Sequence, residues 1–171
     1  ISELKKYGQM SAEDKVRLEA ELRFMRAFMY FDLVKRYKEV IIYDEDLSKI
    51  TKDRALNTEA EGWDFIQADL EFAGRELPER SASKGRLDKG AAWAFLSRTM
   101  LYAERWDVVK TAAEEVQELG YGLETNYADA YSKSVTAGNN EAIIQYHFDR
   151  AQGVTHSFDF YYTPGGDYTL N

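Results

Sequence analysis

The chain contains no cysteine, which removes disulfides, thiol nucleophiles and thiolate metal sites while leaving the redox compartment open. It also carries too little positive charge for a nucleic-acid partner. Lys and Arg number 22 against 30 Asp and Glu, a formal net charge of −8, whereas a phosphate-neutralising surface needs an excess of cations. Apolar runs long enough to cross a bilayer or to form a signal-peptide core are missing. As it stands, the chain is expected neither to insert into a membrane nor to anchor to one. Histidine is scarce: His147 and His156 stand far apart, one in an expected strand and one in a loop, with no familiar metal-ligand spacing. Gly85 and Gly90 have no Gly-Lys-Ser/Thr beside them, so they read as a loop entering a helix rather than a phosphate cradle. The adjacent acids Glu114 and Glu115, and the acidic run from Asp44 to Asp46, fall on a helix and in a polar turn, where carboxylates are solvated. Paired-acid glycoside hydrolysis is therefore not expected, and the chain reads as no enzyme.

What is present is helix-forming pattern. With 171 residues, 44% of them hydrophobic and 14% aromatic, the chain can fill one domain core. Ser11 followed by Asp14 reads as a variant capping box. Val16, Leu18, Leu22, Met25, Phe28 and Met29 then recur at helical steps, and the pattern runs on to about Tyr37. That helix has an apolar surface wide enough to be covered on more than one side. Val40 to Tyr43 is β-branched and short, an extended exit, and the acids after it form a solvated turn. Thr58 with Glu61 is a fuller capping box, and Trp63, Ile66, Leu70, Ala73 and Leu77 follow at steps of three and four up to Pro78. Asp88 caps a third helix bearing Ala91, Ala92, Phe95, Leu96, Thr99 and Met100. A fourth, with Val109, Ala113 and Val116 on one face, stops at Gly120.

Residues 90–120 resemble one tetratricopeptide-type repeat, in which small residues let two helices nest and an aromatic, here Trp106, opens the second. Such a unit needs stacked neighbours. The fold class is therefore mainly α: tetratricopeptide-like hairpins forming an α-α superhelix. Trp63, Trp93 and Trp106 are all expected in the core, and truncating a buried Trp106 would cost roughly 3–5 kcal/mol. Residues 1–120 form the helical scaffold of a single domain covering 1–171. Residues 121–171 are loop-rich, with a short strand over 141–148 and an aperiodic end carrying Phe158, Phe160, Tyr161, Tyr162, Asp167 and Tyr168.

Four blocks in order carry a resemblance to a known family: residues 20–37; residues 63–70 with Leu77 and Pro78; Gly85-Arg-Leu-Asp-Lys-Gly-Ala-Ala92 through to Trp106; and residues 139–144 with 147–149. Together they resemble the SusD/RagB family of surface lipoproteins. After the first long helix, Lys38-Glu-Val-Ile-Ile departs from the family's usual Gly-Gly-Val-Pro-Leu type of turn. The resemblance implies an internal fragment of a longer, lipid-anchored protein on the extracellular face of the outer membrane. There it would bind oligosaccharides without catalysis and without a cofactor, and pass them to a SusC-like TonB-dependent transporter. The ligand would be an oligosaccharide or a peptide, with Tyr161, Tyr162, Asp167 and Tyr168 as its contacts: rings for apolar sugar faces, polar groups for hydroxyls. The alternative reading is a helical-repeat adaptor that holds a peptide or protein in a groove.

Overall fold

The computed structural model describes residues 1–45, 54–81, 85–132 and 139–144. Among them the chain forms α1 (Ser2–Tyr7), α2 (Ala12–Tyr37), α3 (Glu59–Glu76), α4 (Lys89–Tyr102), α5 (Trp106–Glu118) and α6 (Tyr127–Ser132). α3 packs on both α2 and α4, and α5 packs on α4. Two antiparallel hairpins therefore lie side by side, the arrangement expected from the repeat pattern.

Caps set the helix starts. The Ser11 hydroxyl accepts the Asp14 N–H at 3.0 Å. At α3 both halves of the capping box form: Glu61 N–H donates to the Thr58 hydroxyl at 3.3 Å, and Thr58 N–H to the Glu61 carboxylate at 2.7 Å. Asp88 accepts the Ala91 N–H at 3.0 Å and opens α4. α2 buries a seam of Ala20, Phe24, Ala27, Phe31 and Val34, alternating steps of four and three. α3 answers with Ile66, Leu70, Ala73 and Leu77, all essentially inaccessible. Gly62 permits the closest approach, since a Cβ there would meet Val34 Cγ2 at 2.7 Å. Phe95 of α4 closes the layer, its ring 5.5, 5.2 and 5.5 Å from those of Phe24, Phe28 and Phe31. Burial of such a ring contributes about 2–3 kcal/mol.

The exit from α2 is held by polar ties rather than by a sheet. Val40 makes a single antiparallel bridge with Asn57. The Tyr30 hydroxyl donates to the Ile41 carbonyl at 3.1 Å and accepts the Tyr43 N–H at 2.8 Å. Gly120 ends the scaffold with φ +76°, the left-handed conformation expected of it.

Four expectations change. Trp106 is 61% exposed; it is the first residue of α5, which among the described residues packs mainly on α4. Ala112, rather than Ala113, is the buried small residue of α5, which turns the contact face by one position. The second apolar side of α2 is not fully covered among the described residues: Leu22, Met25, Met29 and Leu33 stay exposed. Glu141 to Ile144, the described part of the expected strand, consists of bends. There Asn139 Oδ1 accepts the N–H groups of Glu141 and Ala142 at 3.0 Å each, a local side-chain alternative to strand pairing.

Candidate functional site

The sequence-derived ligand residues Tyr161, Tyr162, Asp167 and Tyr168 lie outside the described residues, as do His147 and His156. The acidic candidates separate. Glu114 and Glu115 are exposed on α5, with Glu114 3.8 Å from Lys110. Glu45 is drawn into an ion cluster, where a solvated turn was expected, and Asp46 lies outside the described residues.

That cluster joins α1, α2, α3 and the α2 exit. Asp69, buried on α3, receives Arg26 through Nε at 2.7 Å and Nη2 at 2.8 Å, and Arg23 Nη1 at 3.3 Å. Arg23 also donates to Glu19 at 2.7 and 2.9 Å. Lys5 Nζ stands 2.9 Å from Glu19, and Glu45 is 3.3 Å from each arginine. Each guanidinium lies over a ring, Arg23 at 4.3 Å from Phe72 and Arg26 at 4.6 Å from Phe65. Three cations thus meet three carboxylates, and the charges are spent on one another. The cluster fixes the helices to each other and leaves no net charge for a ligand.

Among the described residues several surfaces remain open, and three of them carry aromatic rings or apolar walls. Along α2, a groove of about 540 Å³ is lined by Leu18, Leu22, Met25, Met29, Leu87 and Ile144. Its walls are apolar and offer little to a hydroxyl-rich ligand. On α6, Tyr127 and Tyr131 stand edge to face with ring centroids 5.2 Å apart and hydroxyls 3.3 Å apart, each ring 78% exposed. The third surface lies between α3 and α5, where the half-buried ring of Trp93 meets Glu71, Arg75, Asp107 and Thr111 around an opening of about 300 Å³. A ring beside carboxylate, guanidinium and hydroxyl groups is the composition of a polar small-molecule site. Trp93, expected in the core, packs against it while staying half-buried, its ring lying against Gly74 inside α3.

Residues 1–101 match the SusD-like family described as starch-binding and associating with the outer membrane. A SusD-like protein of Bacteroides ovatus is 31% identical over 150 residues, covering 80% of this chain and 27% of that protein. The crystal structure of a SusD-like protein from Bacteroides fragilis is 35% identical with a TM-score of 0.75, over 82% of this chain and 29% of the other. A laminarin binding SusD-like protein is 27% identical, also with a TM-score of 0.75, over 88% of this chain and 35% of its own. The helical scaffold described above is thus shared with these proteins. The chain spans between a quarter and two fifths of their lengths.

Proposed function

Given that the chain belongs to the SusD-like family, we propose that it is part of a protein that captures oligosaccharides without altering them. Capture takes place at the extracellular face of the outer membrane, to which a lipid anchor holds the full-length protein. The glycan then passes to a SusC-like TonB-dependent transporter. The observation that carries this reading is the scaffold shared with the laminarin binding relative over 88% of this chain. The residues of the chain are consistent with that use: Tyr161, Tyr162, Asp167 and Tyr168 supply rings for the apolar faces of sugars and a carboxylate for their hydroxyls.

The test has two arms. The full-length protein is tagged and drawn from native outer membranes, and a large β-barrel is expected to come with it. The purified protein is then offered a panel of oligosaccharides and peptides, with Tyr161→Ala beside the parent. Binding of a glycan by the parent, weakened in Tyr161→Ala at an unchanged melting temperature, supports capture through that segment. Equal binding by both removes Tyr161 from the site. Binding of peptides alone, with no barrel recovered, overturns the reading.

A further inference from the structure

The geometry of Trp93 is unusual for a packed tryptophan. A Cβ built on Gly74 would lie 2.5, 2.7 and 2.8 Å from Trp93 Cε2, Cδ2 and Cζ2. Three ring atoms at such similar distances mean that α3 meets the indole on its face, not its edge. Any side chain at position 74 would displace the ring. Glycine inside a helix costs about 1 kcal/mol relative to alanine, so helix stability is given up at the one place where the ring lies flat. The same ring, half-buried, also lines the opening between α3 and α5.

Of the polar groups around it, Glu71 accepts Gln67 Nε2 at 2.7 Å and the Thr111 hydroxyl donates to the Asp107 carbonyl at 3.0 Å, while others are unspent. Among the described residues, the Trp93 indole N–H and the Asp107 carboxylate have no protein partner, and Arg75 meets only Glu71, at 3.6 Å. An opening of about 300 Å³ stands at the lower end of the roughly 300–1,000 Å³ usual for ligand sites. It has room for one ring of a chain rather than a whole oligomer. The charge is equally informative. Glu71 and Asp107 outnumber Arg75 at the rim, on a chain of net charge −8, so anionic sugars are repelled.

We propose that the Trp93 groove is a second carbohydrate contact, taking one pyranose unit of a neutral oligosaccharide. The apolar C–H face of the sugar lies on the part of the indole that lines the opening, and Asp107, Arg75 and the indole N–H bond its hydroxyls. The inference rests on the glycan-capture reading and adds to it a place on the helical scaffold, away from residues 161–168, and a preference for uncharged glycans.

Calorimetric titration of the full-length protein tests it, with neutral β-glucan oligosaccharides and polygalacturonate as probes. The parent, Trp93→Ala, Asp107→Ala and Tyr161→Ala are compared. Asp107 is exposed, so its variant keeps the test open if Trp93→Ala fails to fold. The expected result is binding of the neutral glucan only, weakened about tenfold by Asp107→Ala, the scale of one lost hydrogen bond to a charged group, and more by Trp93→Ala. Neutral-glycan affinity unchanged in Asp107→Ala and in folded Trp93→Ala, but lost in Tyr161→Ala, would overturn the groove and leave capture standing. Preference for polygalacturonate would overturn the neutral assignment. A parent that binds no glycan would overturn both readings.

Discussion

The α2–α3 hairpin closes on two buried seams, an aromatic stack and a cluster of three ion-paired cations, whereas α5 packs on α4 with Ala112 buried and Val108 and Val109 only partly so. Two tryptophans on the second helices of the hairpins, Trp63 in the second turn of α3 and Trp106 at the first residue of α5, show the difference. Trp63 is 5% exposed, its indole N–H donates to Glu59 at 3.2 Å, and Phe31 lies 6.2 Å from its ring. Trp106, the first residue of α5, is 61% exposed. The neighbouring helices differ too: α3 packs on both α2 and α4, whereas α5, among the described elements, packs on α4. The better-buried hairpin is the framework, and the groove at Trp93 opens where packing thins.

If the comparison is right, the largest losses come from the first hairpin. Asp69→Ala leaves Arg23 and Arg26 without their shared carboxylate and should cost about 3–5 kcal/mol. Trp63→Ala should cost a similar amount, through the cavity it opens against Phe31. Urea denaturation measures both. A loss below about 1 kcal/mol for Asp69→Ala would mean that water reaches the arginines and that the cluster behaves as a surface network.

Acidification probes the same cluster more gently. Burial raises the Glu19 pKa, but hydrogen bonds from Lys5 and Arg23 outweigh it and hold the carboxyl below the ordinary value of 4.5. A depressed folded pKa stabilises fully above the unfolded value, and that contribution disappears as pH falls through the folded one, because the unfolded chain then binds the extra proton. Stability should therefore decline below about pH 4.5, less steeply in Glu19→Gln than in the parent. Parallel acid profiles for the two would remove Glu19 from the stabilising set. Smaller again, Thr58→Ala should cost about 1 kcal/mol, the usual value of an N-cap side chain. A thermal melt in which Glu61→Ala, the other half of the box, costs nothing would show that only the Thr58 hydroxyl contributes.

Much of this scaffold can be read from spacing because spacing determines which residues share a helix face. The caps at Ser11, Thr58 and Asp88, the seam from Ile66 to Leu77 and the stop at Gly120 are all local chemistry, settled within a few residues. The errors concern what covers a face. Trp106 and the outer side of α2 look alike in sequence whether a neighbouring helix is present or not. The ion cluster was missed for a related reason: arginines on a helix usually face solvent. The clue was Asp69, three residues after Ile66 and four before Ala73, on the buried side of α3 where a carboxylate requires a partner. The candidate sites divide the same way. Residues 161–168 carry no periodicity from which to place them, and Trp93 differs from a core residue in being only half-buried.

The smallest effect is the sharpest test of the comparison. Trp106→Ala removes a large ring, but one already mostly in water, so little apolar area is lost from burial and the helix start gains the best helix former. The change should fall within about 0.5 kcal/mol, as for surface sites generally, and a thermal melt in parallel with Trp63→Ala should separate the two by several degrees. A drop for Trp106→Ala in the full-length protein as large as that for Trp63→Ala would mean that a further part of the protein covers the outer face of α5. The α4–α5 hairpin would then be an interior repeat like the first, and the thin packing around Trp93 would have to be reconsidered with that cover in place.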